Sequence, residues 1–218
     1  MTAEGSAGAP DRSRLLVATR STHKLRELRE LLGLRAELID LDDVGITAEA
    51  IEDGETFEAN ASKKARFFAG LSGMPTLADD SGIEVDALGG APGVRTRRYS
   101  GENATDEENN VKLLGALSGL PAPQRRARYR CALALALPES RGMRGGLAIR
   151  LARGTLEGRI AVAPKGDGGF GYDPIFEPDG EPAGGRTLGQ WTAEAKNRIS
   201  HRGRAARRMH RILTDLGF

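Results

Sequence analysis

Residues 127–137 read ARYRCALALAL. Tyr129, Cys131, Leu133, Leu135 and Leu137 recur at every second position, and Arg128, Arg130, Ala132, Ala134 and Ala136 fall between them. Side chains alternate across a strand, so the segment reads as a β-strand with one large apolar face and one face of arginine and alanine. Leu147, Ile149 and Leu151 repeat the period after the turn-like segment PESRGMRGG, which makes the two runs a hairpin. Upstream, Leu15-Leu16-Val17-Ala18 is a short, unbroken apolar run of the kind that forms a buried strand. Leu25, Leu28, Leu31 and Leu32 follow at helical spacing, with Gly33 to end the helix and Ser21 or Thr22 to cap it. A second helix is expected over Thr56–Ala69, with Phe57, Ala61, Ala65 and Phe68 on one face. A third begins at Thr105, where Thr105-Asp106-Glu107-Glu108 forms a capping box ahead of Val111, Leu113, Leu114 and Leu117. A last helix from about Ser200 turns Ala205, Met209, Ile212, Leu213 and Leu216 inward, and the Pro/Gly-rich stretch 177–186 reads as a loop. Helices interleaved with buried and half-exposed strands predict an α/β fold with a mixed sheet.

The 218 residues suit one large domain or two small ones. No internal repeat divides them, and the organisation expected is a short disordered tail over residues 1–12 and a single domain over 13–218. Apolar residues make up 39% and charged residues 28%, a mixture too hydrophobic for a disordered chain. The formal charge of +2 argues against a dedicated binder of nucleic acid or membrane surface. The start of the chain has neither a basic cluster nor an apolar run, so no secretory signal is read there. The longest apolar stretch, Cys131–Leu137, is far below the ~20 residues that span a bilayer. Cys131 is the only cysteine, which excludes an intrachain disulfide and points to a reducing, cytoplasmic setting.

Four segments concentrate polar residues and glycine beside apolar strands. Thr19–Lys24, TRSTHK, lies at a strand-to-helix junction, where unpaired N–H groups and the helix dipole favour an anion such as phosphate. Ala78-Asp79-Asp80-Ser81-Gly82 sets two adjacent carboxylates at an expected strand end; neighbours on a regular strand face opposite sides, so a bend at Ser81-Gly82 would be needed to bring both to one cation. Hard carboxylate oxygens suit Mg²⁺. Gly166–Asp173, GDGGFGYD, formally matches G-x-G-x-x-G, but Pro174 and Pro178 follow and no helix opens, so the dinucleotide fingerprint is rejected. What remains is a glycine loop that presents Phe170, Tyr172 and Asp173, with Phe170 placed to stack on a flat ring. Finally, Lys196–Arg204, KNRISHRGR, puts His201 and Arg202 in the first turn of a helix, where cations need an anionic or carbonyl partner. Arg204, Arg207, Arg208 and Arg211 continue as a solvated face; an RNA-binding module using that stripe is the rival from another class.

Taken in order, LLVATRSTHKLRELRELL, EDGETFEANASKKA, LADDSGIEVDALGGAPGVRTRRYSG, GGFGYDPIF and KNRISHRGRA resemble the inosine/xanthosine triphosphate pyrophosphatase family over Arg14 to Leu216. The resemblance implies an elongated mixed β-sheet flanked by helices, with two lobes around a central cleft. It also implies a cytoplasmic homodimer that cleaves ITP, dITP and XTP to the monophosphate and pyrophosphate with Mg²⁺, with no nucleic-acid or membrane partner. Residue by residue, Asp80 matches the general base and metal ligand, Glu52 a second metal-site carboxylate, and Asp79 a support of that site. Ser81 would touch substrate. Thr19, Arg20, Ser21, Thr22, His23 and Lys24 match the phosphate-binding turn, and Lys64 a helical lysine facing the phosphates. Phe170, Gly171, Tyr172 and Asp173 match the nucleoside loop, and Lys196, His201 and Arg202 the purine-recognition end. The chain departs from the family pattern at Ser21 (usually Asn), His23 (usually Gly) and Gln190 (commonly Glu). A nucleotide-binding regulator with weakened catalysis and a pyrophosphatase for other modified nucleotides are the nearer alternatives.

Overall fold

The computed structural model describes residues 13–138 and 147–218. The tail expected over residues 1–12 and nearly all of the turn-like PESRGMRGG segment lie outside the described residues. Six strands form one mixed sheet: β1 (Arg14–Val17), β2 (Glu37–Ile39), β3 (Thr76–Val85), β4 (Arg126–Leu137), β5 (Ala148–Ile160) and β6 (Phe176–Pro178), in the order β2-β1-β3-β4-β5-β6. β1 runs parallel to both its neighbours, and β3 to β6 are successively antiparallel. The β4–β5 hairpin expected from the alternation is present, with Leu137 opposite Ala148.

Among the described residues five α-helices flank the sheet: α1 (Thr22–Leu32), α2 (Phe57–Ser72), α3 (Asp106–Ala116), α4 (Ala193–Ile199) and α5 (His201–Asp215). The start signals act as the sequence suggests. Ser21 Oγ accepts from Lys24 N, Thr56 caps α2, and Thr105 with Glu108 forms a complete capping box on α3. On one sheet face, Leu25, Leu28 and Leu32 of α1 meet Ala205, Met209 and Leu213 of α5 over Leu15, Val17, Leu77, Leu133 and Leu135. On the other, Phe57, Ala61, Ala65 and Phe68 of α2 cover Leu16, Ala18 and Ala78.

The structure changes several details. The alanine face of β4 is buried, because Ala132, Ala134 and Ala136 lie under α2, where small side chains let helix and sheet approach closely. β3 neither ends nor bends at the acidic pair: it pairs with β4 through Ser81, Gly82 and on to Val85. Gly82 instead makes room for the segment Gly93–Arg98, since a Cβ there would lie 2.8 Å from Thr96 and from the Gly93 carbonyl oxygen. α3 holds its place through amides as well as Leu113: Asn109 and Asn110 are buried and Val111 is exposed. Asn109 bonds Arg97 O and Ser100 N, and Asn110 bonds Gly171 O. Ser200 caps α5 as the sequence suggests, but a further helix, α4, precedes it, so Lys196 and Arg202 sit on different helices; Leu216, at the end of α5, is exposed, and the stretch read as a loop from residue 177 begins within β6.

α5 lies directly on β5 at Gly154, where a Cβ would come within 2.0 Å of His201 O and 2.7 Å of Ala205 N. Backbone cannot yield as a flexible side chain does. Gly154→Ala is therefore expected to destabilise the fold by about 3 kcal/mol, lowering the thermal midpoint by roughly 6–12 °C, as measured by calorimetry.

Candidate active site

All eighteen residues named from the sequence line one cleft of about 800 Å³. Its walls are the β1–α1 turn, the middle of β3, the segment Gly93–Arg98, the glycine loop before β6, and the start of α5. Regular alternation on β3 divides the acidic pair. Asp79 stands opposite Leu133, whose side chain belongs to the α1/α5 layer, and Asp80 stands opposite Ala132, in the α2 layer.

Asp79 is fully engaged. Its Oδ1 accepts from Lys24 Nζ at 2.6 Å and Ser81 Oγ at 2.9 Å; its Oδ2 accepts from Arg202 Nε at 3.0 Å and the Cys131 thiol at 3.2 Å. Burial alone would raise its pKa, but Arg202 and Lys24 outweigh burial and hold the carboxyl well below the usual range. Arg202 also donates to Glu27 Oε2 at 2.6 Å and Ser81 Oγ at 2.8 Å, while Lys196 bridges Glu27 Oε1 at 2.9 Å and Asp173 Oδ2 at 2.7 Å. Glu27 is the acid that answers the two cations, and its pKa is lowered: burial would raise it, but Arg202 and Lys196 prevail.

Asp80 has a different environment. Its Oδ1 accepts from Ser81 N at 3.1 Å, whereas its buried Oδ2 has no partner among the described residues. Burial, with a contribution from the Glu52 charge, raises its pKa to about 6 against the pull of Lys24 and Lys64. Glu52 arrives on the irregular chain between β2 and α2; Lys64 of α2 pairs with its carboxylate, and Arg98 Nη2 donates to its carbonyl oxygen at 3.2 Å. Arg20 pins the same stretch, donating to Ile46 O and Ala48 O at 3.0 Å each and to Asp42 at 3.2 Å. Thr19 Oγ1 accepts from Ser21 N, and Thr22 opens α1, whose first turn carries no acidic residue to oppose an anion.

At the far end, Phe170 lies beneath Lys196 Nζ, 4.7 Å from its ring centre, and near the Arg202 guanidinium at 5.5 Å. Gly171 N donates to Asp106 Oδ2 at 2.6 Å, and the Tyr172 hydroxyl donates to Thr96 O at 2.7 Å. His201 stacks on Tyr129 at 4.5 Å with planes 4° apart, and its buried Nδ1 has no partner among the described residues. Burial, with Arg202 and Lys196 beside it, pushes the His201 pKa well down, so the ring is neutral.

The sequence model of the Ham1 family matches residues 15–212. The chain belongs to the Ham1 family. It is similar to the dITP/XTP pyrophosphatase of Geobacter sulfurreducens, with 50% identity over 194 residues covering 88% of this chain and 92% of that protein. Among solved Ham1 structures, a HAM1 protein from Coxiella burnetii is 38% identical with a TM-score of 0.80, covering 93% of this chain and 99% of that one. A nucleoside-triphosphatase / dITP/XTP pyrophosphatase from Mycobacterium abscessus is 42% identical with a TM-score of 0.72, covering 90% of this chain and 98% of that one.

Sequence reasoning passed over several residues that line or brace the cleft of this Ham1 protein. Glu27 lies among the charged positions of an amphipathic helix and carries no local signal; the demand of Lys196 and Arg202 for an acid was the only clue. Tyr129, Thr96, Arg98 and Asp106 reach the cleft through pairings distant in sequence.

Asp80 links this cleft to stability. The folded state holds its proton up to about pH 6, while the unfolded chain releases it near 3.8. Stability of the metal-free protein therefore falls as pH rises between those values and stays lowered above them. Asp80→Asn is expected to raise unfolding free energy in EDTA by about 2 kcal/mol at pH 7.5 and to give little gain near pH 4. Denaturant unfolding at the two pH values checks this; an equal gain at both would contradict it.

Proposed function

We propose that this chain is a Mg²⁺-dependent pyrophosphatase that hydrolyses ITP, dITP and XTP to the monophosphate and pyrophosphate, clearing deaminated purines from the nucleotide pool. The observation that carries the reading is the unpartnered, buried Oδ2 of Asp80 in the same cleft as an end rich in hydrogen-bond donors around Phe170. The name dITP/XTP pyrophosphatase on a relative 50% identical over most of the chain supports the same substrate class.

Asp80 and Glu52 fit a magnesium site: one offers a buried oxygen without a partner and the other a carboxylate beside it. Mg²⁺ commonly takes one or two carboxylates and leaves its remaining positions to water and phosphate, so a larger ligand group is not required. Asp79, with both oxygens engaged, serves as the anchor for Lys24 and Arg202 rather than as a ligand. When bound, the ion supplies positive charge against that developing on the phosphoryl oxygens.

The start of α1, with Thr19, Ser21 and Lys24, receives the phosphates, and Lys64 faces them from α2. Asp80 orients the attacking water and accepts its proton as the α-phosphorus is attacked and pyrophosphate departs. Lys24 and Lys64 hold the leaving group electrostatically. At the base end the carboxylate acceptors are already taken: Asp173 binds Lys196, Phe170 N and Tyr129, and both Glu27 oxygens are engaged. The remaining N–H groups of Lys196 and Arg202 favour the 6-keto oxygen of hypoxanthine or xanthine. The 6-amino group of adenine would face donors.

The family resemblance also motivates a homodimer, a single domain over residues 13–218 and a cytoplasmic home. The buried free thiol of Cys131 suits a reducing compartment, and no described helix is long and apolar enough to cross a membrane.

A panel of nucleoside triphosphates assayed for pyrophosphate tests the function. With Mg²⁺, kcat/KM for ITP and XTP is expected to exceed that for ATP by about 10²–10⁴, and Asp80→Asn to lower kcat by on the order of 10³. Release of orthophosphate in place of pyrophosphate, or equal use of ATP, would overturn the reading.

A further inference from the structure

His23 stands at the second position of α1, and its side chain is exposed. Its ring faces Phe170 across the cleft, with centroids 5.5 Å apart and planes only 22° from parallel. The two rings come from opposite walls, the β1–α1 turn and the glycine loop. The Phe170 side is fixed: its N–H donates to Asp173, and the adjoining Gly171 is held through its N–H by Asp106 and through its carbonyl by Asn110. The His23 ring enters no hydrogen bond or ion pair among the described residues, so it is the member free to move.

We propose that His23 is a second stacking surface for the nucleobase, so that a purine is held between its imidazole and the Phe170 ring. The inference rests on the reading of the cleft as a purine nucleotide site. Near-parallel planes are the orientation a flat ring needs on both faces. A base between two rings requires about 7 Å, twice the ~3.5 Å contact distance between carbon atoms. The pair must therefore widen by roughly 1.5 Å, which a side-chain rotation of an exposed residue in a first helical turn provides. Stacking reads a π-face and tolerates any base. His23 thus strengthens binding of purines in general, and Lys196, His201 and Arg202 keep the discrimination between them.

The test compares wild type, His23→Ala and His23→Phe for turnover of ITP and ATP, for inhibition by tripolyphosphate, and for calorimetric binding of ITP in EDTA. His23→Ala is expected to raise KM for ITP about tenfold, with the effect on KM rather than kcat and the ITP-to-ATP ratio of kcat/KM preserved. His23→Phe should restore KM, and tripolyphosphate, which has no base, should inhibit all three equally. A fall in KM for His23→Ala would show the ring to be a cover that competes with the base, and weaker tripolyphosphate inhibition would assign His23 to the phosphates; either overturns the proposal. A wild type that binds ITP without releasing pyrophosphate would remove the proposed activity while the three binding constants still decide the stack. A wild type that does not bind ITP would overturn both.

Discussion

The buried guanidinium of Arg202 ties the two halves of this molecule together. It is among the largest fully buried side chains, and it bonds Asp79 and Ser81 of β3 and Glu27 of α1 from the first turn of α5. Moving such charges out of water costs several kcal/mol per ion, and only close, multiply bonded partners offset that cost. Arg202 meets the condition with three acceptors, and Asp79 meets it with four donors. Losing either partner would strand the other in a nonpolar interior. The same carboxylate that holds Arg202 on one oxygen holds Lys24 on the other, so the position of the phosphate-facing lysine follows from the packing of α5.

The pairing has a remainder. Lys24, Lys196 and Arg202 are matched by Asp79, Glu27 and Asp173, and Lys64 is matched by Glu52. Asp80 is left with an unpartnered oxygen and a pKa raised to about 6. One strand therefore carries two neighbouring aspartates with opposite electrostatics: Asp79, among cations, is held ionised, and Asp80, one residue on and one face over, resists ionisation. The alternation of β3 creates that contrast. A bend drawing both carboxylates together would have abolished it.

The boundaries of α1, α2 and α3 and the β4–β5 hairpin were legible because local chemistry decides them: Ser21, Thr56 and Thr105 accept the free N–H groups of their own helices, and alternation of period two needs no distant partner. The candidate site residues stood out for a related reason, since carboxylates, lysines and glycines beside apolar strands conflict with a purely structural role. What stayed hidden depends on contacts across the fold. Ala132, Ala134 and Ala136 look half-exposed until α2 is laid over them, and Asn109 and Asn110 look solvated until Arg97, Ser100 and Gly171 accept or donate their bonds. Glu27 pairs with residues about 170 positions away, beyond the reach of any local pattern.

The three positions read as departures in the family resemblance show how much of such a site is geometry rather than charge. Ser21, where an asparagine is usual, still places an oxygen on Lys24 N at the start of α1, which is all that a cap requires. Gln190, where a glutamate is common, accepts from Thr187 N at 3.1 Å within a one-turn capping box; an amide oxygen serves that bond as well as a carboxylate oxygen. His23, in place of glycine, points across the cleft toward Phe170, so its bulk does not press on the backbone of the turn that bears it. In the first two cases the side chain present completes a hydrogen bond of its own turn. Only the third adds a group with chemistry of its own, and it adds it over the ring where a base would rest.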